Sequence, residues 1–143
     1  MTDFAGLVRA DRTPFYTPER CFISEWYNTA DSPAASLAQC RVEPGITTQL
    51  HALTVTERYI VTDGQGLMEL DRGAPFEIKP GDTVTIPADC PQRVRNTGTQ
   101  DLIFLCLCTP RFEPDQYINL ENDDTPALEE PMMETAKLET KDA

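Results

Sequence analysis

The chain is short of cations, of histidine and of long apolar runs, and each shortage removes a class of function. Twelve Lys and Arg stand against 24 Asp and Glu, for a formal net charge of −12. Nucleic acid and anionic membrane surfaces are recognised by basic stripes that displace counterions, and none is present. No apolar run approaches the roughly twenty residues of a membrane-spanning helix. The opening residues, Met1-Thr2-Asp3-Phe4-Ala5, have neither the basic nor the apolar region of a secretory signal, so a cytoplasmic location is expected. Cysteine occurs five times. An odd number without an export signal or a C-x2-C pair predicts free thiols, not a disulfide framework or a structural zinc site. There is no Gly-rich phosphate loop. With a single histidine, His51, a Ser-His-Asp triad has nothing to spare for its base.

What is present is a succession of short β-branched and aromatic runs cut by turn residues. Strands are expected at Cys21–Tyr27, Ser36–Val42, Thr47–Leu53, Glu57–Thr62, Leu67–Leu70, Phe76–Ile78, Thr83–Ile86, Gln92–Asn96 and Leu102–Cys108. Pro44-Gly45, Asp63-Gly64, Asp71-Arg72-Gly73, Pro80-Gly81-Asp82 and Asn96-Thr97-Gly98 punctuate them. This pattern predicts an all-β sandwich or barrel. Residues 1–20 read as an irregular arm with a short helix near Phe4–Arg9, and residues 21–112 as the β domain. Residues 113–143 are rich in Glu, Asp, Thr and Pro and form an acidic extension. Of these, Phe112–Leu120 should pack on the barrel, and the rest should be a mobile or weakly helical solvated tail.

Two segments carry the chemistry. The first places Gly45, His51, Leu53, Glu57 and Gly64 in series, and the second places Gly81, Pro87, Asp89, Gln92 and Asn96. Their spacing resembles the two motifs of the cupin superfamily, G-x5-H-x-H-x3,4-E-x6-G and G-x5-P-x-G-x2-H-x3-N. Seven motif positions are kept in register: Gly45, His51, Glu57, Gly64, Gly81, Pro87 and Asn96. The run Cys108-Thr109-Pro110-Arg111-Phe112 also looks like the close of a group of small single-domain bacterial cupins. The resemblance implies a jelly-roll β-barrel and a homodimer. It also implies a divalent metal held by histidines and a glutamate. Three positions depart from the pattern. Leu53 replaces the first motif's second histidine, Asp89 its partner motif's glycine, and Gln92 the second motif's histidine.

Two readings of this site follow. In the first, His51, Glu57 and Gln92 hold Fe, Mn, Ni or Zn as a facial set of nitrogen and oxygen donors. The metal polarises a carbonyl- or carboxylate-bearing small molecule, for dioxygenase or isomerase/lyase chemistry. Glu57 and Tyr59, on one parity of their strand, are the candidate acid/base residues. In the second, the metal site is degenerate and the barrel is a non-catalytic small-molecule binding module. Leu53 makes the site drier in either case. Cys106 and Cys108 face one side of their strand, either the lumen or the core, and Cys40 is expected in the core. Parity turns Arg58 and Arg93 outward as surface charges, while Trp26 and Phe104 either line the mouth or pack.

Overall fold

Residues 5–129, which the computed structural model describes, build their β structure from the runs just named. The strands are β1 (Phe15–Tyr16), β2 (Phe22–Tyr27), β3 (Ser36–Val42), β4 (His51–Leu53), β5 (Thr56–Asp63) and β6 (Gly66–Leu70). They continue with β7 (Phe76–Ile78), β8 (Thr83–Ile86), β9 (Gln92–Asn96), β10 (Leu102–Thr109) and β11 (Tyr117–Asn119). Two antiparallel sheets result, ordered β1-β2-β3-β10-β5-β8 and β11-β4-β9-β6-β7. This is the expected jelly-roll arrangement, with sequence neighbours often lying in opposite sheets. Among the described residues, no helix is long and apolar enough to cross a membrane.

Strand alternation decides what enters the barrel. Along β5, Glu57, Tyr59 and Val61 are buried while Arg58 and Ile60 are only partly covered, as a period of two requires. Val42, Val61, Met68, Ile86, Val94, Leu102 and Phe104 fill the core between the sheets. Tyr59 stacks on Phe104, with ring centroids 4.1 Å apart. Cys40 joins this core, and Phe104 packs within it. Trp26 instead carries the Arg12 guanidinium over its ring at 4.2 Å. Leu53, Val55 and Cys108 form a second cluster, against Phe112 and Tyr117. Gly64 closes β5 with φ +79°, and a Cβ there would stand 2.5 Å from the Asp101 carbonyl oxygen. The turn therefore requires glycine on both counts.

Several expectations are corrected. Residues 5–9 are not helical; with no apolar stripe to bury, they gain nothing from helix formation. The Thr47–Leu53 strand is shortened to β4. Upstream of it the Thr48 hydroxyl accepts the Val94 N–H at 3.0 Å, replacing a backbone carbonyl in the ladder. Thr47 keeps only an isolated bridge to Arg95. β1 and β11 lie outside the expected strands. β11 pairs with β4, setting Asn119 opposite His51 and Tyr117 opposite Leu53, so Phe112–Leu120 does pack on the barrel. The acidic segment also docks further than expected. Glu121 receives the Arg20 guanidinium at 2.8 Å and the Leu50 N–H at 3.1 Å. Leu128 is buried. The remainder of the expected tail, residues 130–143, lies outside the described residues.

Arg93 explains part of that docking. It points out of the barrel, as parity demands, yet it is buried rather than a surface charge. Its guanidinium forks onto Glu69 at 3.0 and 3.2 Å and donates to the Pro126 carbonyl at 2.7 Å. A bidentate pair of this kind suits arginine's planar fork.

Candidate functional site

The site forms where β4, β5 and β9 bring the two motifs together. His51 on β4 stands in register opposite Gln92 on β9, and Glu57 enters from β5 in the facing sheet. All three are buried, Gln92 completely. His51 and Glu57 border a cavity of about 170 Å³, lined also by Leu53 and Tyr59 among others. Cys106 and Cys108 on β10 also face it, which answers the question of their side.

The hydrogen bonds fix the role of each polar atom. His51 Nδ1 lies 2.7 Å from the Gln49 carbonyl oxygen. A carbonyl only accepts, so Nδ1 carries the proton and Nε2 is left as an acceptor. Burial pushes the imidazole below its ordinary pKa of 6.5, against the opposing pull of the Gln49 bond. The Tyr59 hydroxyl donates to Gln92 Oε1 at 2.6 Å, and Gln92 Nε2 donates to Glu57 Oε1 at 2.9 Å. The Gln92 amide is therefore a relay between Tyr59 and Glu57. Its oxygen already has a partner, and it does not line the cavity.

Among the described residues no Lys or Arg pairs with Glu57. Burial raises its pKa from 4.5 to about 7, opposed by the Gln92 hydrogen bond and assisted by the charge of Glu19. The Cys108 thiol donates weakly to its other oxygen at 3.9 Å. Burial first, and then Glu57, push the Cys108 thiol up to about 12, and Cys106 moves the same way for the same reasons. Both are protonated, inert walls of the cavity, since the thiolate is the nucleophilic form. Tyr59 is likewise pushed well above 10 by burial and then by Glu57.

Two further residues belong to the site and lie outside the motifs. Glu19, on the segment between β1 and β2, lines the cavity and sets Oε1 3.7 Å from His51 Nε2. Its side chain keeps 25% of its surface exposed, yet burial still raises its pKa from 4.5 to about 7. Its position is set by Arg20, whose φ of +70° turns the chain and whose Nε donates to the Thr47 carbonyl at 2.8 Å. Tyr117 of β11 stacks on the His51 ring, with centroids 4.7 Å apart and planes 13° from parallel. Neither had a local signal: Glu19 is one acid among many, and Tyr117 sits in a Pro- and Asp-rich stretch.

The expected metal ligands can be tested against this geometry. Among the described residues, no group of three or more His, Cys, Asp or Glu is arranged to hold a metal ion. Gln92 does not make up the number, because its oxygen accepts from Tyr59 and its nitrogen faces Glu57. Leu53, where the cupin pattern has a histidine, presents only carbons. The residues therefore do not fit a three-ligand metal centre as they stand.

Comparison with known proteins agrees with the barrel. The family model for the cupin domain matches residues 38–108. Uncharacterized protein MJ1618 of Methanocaldococcus jannaschii is 35% identical over 111 residues, covering 76% of this chain and 88% of the relative. Among solved structures, the polyketide cyclase RemF from Streptomyces resistomycificus superposes with a TM-score of 0.68 at 21% identity, covering 86% of this chain and 89% of that one. A variant of Streptomyces PAC13 with uridine gives 0.66 at 16% identity, covering 78% and 86%. KdgF from Halomonas gives 0.66 at 15% identity, covering 76% and 97%. At these identities the structural likeness speaks to the fold. Motif register, two-sheet topology and these matches converge: the chain belongs to the cupin superfamily.

Proposed function

We propose that the barrel is a small-molecule site that needs no resident metal, in which buried protonatable groups take the place of the cupin metal. The observation that carries this reading is the Tyr59–Gln92–Glu57 chain of hydrogen bonds. It occupies the motif position that would otherwise offer a ligand, and it orients Glu57 instead. Glu57 then presents its second oxygen, and His51 presents Nε2, as proton acceptors inside the cavity. Glu19 stands beside His51 at 3.7 Å.

This set supports proton transfer. A group with a pKa close to the working pH both gives and takes a proton readily. Glu57 and Glu19, each at about 7, meet that condition. His51 enters as neutral imidazole. A bound molecule placed between Glu57 and the Glu19–His51 pair can lose a proton to one and receive one from the other. That exchange is the basis of an isomerisation, dehydration or cyclisation. Tyr59 is a positioning residue here, because its proton is committed to Gln92. The polyketide cyclase and the uridine complex among the structural neighbours are compatible with organic small molecules in barrels of this shape.

The test is a carbon-13 NMR titration of the glutamate side-chain carboxyls, in metal-stripped protein and again after adding Zn, Mn, Ni or Fe(II). Glu57 should titrate with a midpoint near 7 in both samples. A Glu57 signal that stays ionised to low pH once metal is added would restore the metal reading.

A further inference from the structure

The charge inventory of the cavity limits what it can take. Among the described residues three carboxyl groups line it, those of Glu19, Glu25 and Glu57, and no Lys or Arg does. The nearby arginines are engaged elsewhere: Arg20 with Glu121 and the Thr47 carbonyl, Arg41 with Asp101 at 3.3 Å, and Arg111, behind the lining residue Asn28, with the Asn28 side-chain oxygen at 2.8 Å and Glu113 at 3.4 Å. An anion entering here would lose hydration and meet acids, with no Lys or Arg in the described lining to pair with it. A desolvated, unpaired charge is strongly disfavoured. The carboxylate-bearing class of substrate expected from the metal reading does not suit this lining.

Size and walls narrow the choice further. A cavity of about 170 Å³ is slightly larger than the ~150 Å³ engineered cavity that admits benzene. It has room for one six-membered ring with small substituents. Phe15, Phe112 and the stacked His51–Tyr117 pair offer aromatic surface to such a ring. The acceptors in the lining are His51 Nε2, the second Glu57 oxygen and the Glu19 carboxyl, beside the Thr17 and Ser36 hydroxyls and the protonated Cys106 and Cys108 thiols. Acceptors call for O–H or N–H donors on the ligand.

We infer that the cavity takes an uncharged single-ring compound bearing hydroxyl donors, and that it rejects carboxylates and phosphates. This rests on the reading of the cavity as a small-molecule site, but it is independent of whether turnover follows. The ring lies against the aromatic wall, and its hydroxyls donate to His51 Nε2 and Glu57.

Three matched probes test it on the full-length, metal-stripped protein: resorcinol, benzoate and benzylamine, each followed by NMR shifts of His51 and Tyr117. Resorcinol should give saturable shifts, with benzoate weaker by about tenfold or more, as one uncompensated charge among acids requires. The Glu19→Gln/Glu25→Gln double variant should narrow that gap. Ala38→Leu, which adds bulk to the cavity wall, should abolish the resorcinol shifts. Benzoate binding as tightly as resorcinol overturns the inference while leaving the small-molecule site intact. Benzylamine binding most tightly overturns the uncharged clause and makes the cavity a cation site. No saturable shift with any probe overturns both this inference and the small-molecule reading beneath it.

Discussion

Replacing Glu57 by glutamine should stabilise the protein, and increasingly so as pH rises. The glutamine keeps the shape and can still accept from Gln92 Nε2, but it never ionises. In the native protein the carboxyl has its pKa raised from 4.5 to about 7, chiefly by burial. A folded-state pKa above the unfolded value means that the folded chain holds the proton more tightly. Its contribution is fully present below about 4.5, falls as pH rises towards 7, and is gone above it. At 1.36 kcal/mol per pH unit, the whole effect is roughly 3 kcal/mol. Urea denaturation followed by the fluorescence of Trp26 reads it directly. The variant and the native protein should be of similar stability near about pH 4.5, with the variant ahead by roughly 3 kcal/mol near about pH 8.5. His51 runs the other way: its pKa is lowered by burial, so it costs stability as pH falls below 6.5. That effect is common to both proteins and cancels in the difference. A metal at Glu57 would reverse the outcome, since the ion would hold the carboxylate charged. A variant less stable than the native protein at every pH, or a difference that does not change with pH, would refute the reasoning.

Three other outcomes follow from the same geometry. Tyr59→Phe leaves the buried Gln92 oxygen without its donor, which should cost about 1–3 kcal/mol of stability and broaden the Glu57 titration, both measurable on one purified variant. Arg93→Ala strands Glu69 and releases the Pro126 carbonyl; the loss should be roughly 3 kcal/mol by chemical denaturation, and Arg93→Lys should recover only part of it because the fork is lost. Finally, Leu53→His/Gln92→His supplies two nitrogen donors beside His51 and Glu57. It should retain about one Zn, Ni or Mn per chain after dialysis, where the native protein retains far less; equal retention by both would contradict the account of Gln92.

The strands were legible where both hydrophobic parity and turn chemistry acted. Ser36–Val42, Phe76–Ile78, Thr83–Ile86 and Gln92–Asn96 begin and end where read. β11 was not legible, because what makes it a strand is an unpaired β4 edge far away in sequence, not its own composition. Parity also told which way Arg93 points but not that the acidic segment would cover it. In the site, the two spaced motifs set His51 opposite Gln92 and Gln92 against Glu57. Their spacing did not say with whom Gln92 would bond: parity gives a direction, while the partner depends on the distance to Tyr59 across the barrel. Glu19 was the largest omission. It reaches the cavity from a segment with no periodicity, turned by a single positive-φ residue.

The central claim is that this cupin barrel works without a resident metal. The direct measurement is the metal content of untagged protein by inductively coupled plasma mass spectrometry, after incubation with Fe(II), Mn, Ni or Zn and dialysis, beside His51→Ala. The account predicts well under one metal per chain and no difference between the two proteins. Near-stoichiometric metal in the native protein, lost in His51→Ala, would contradict it.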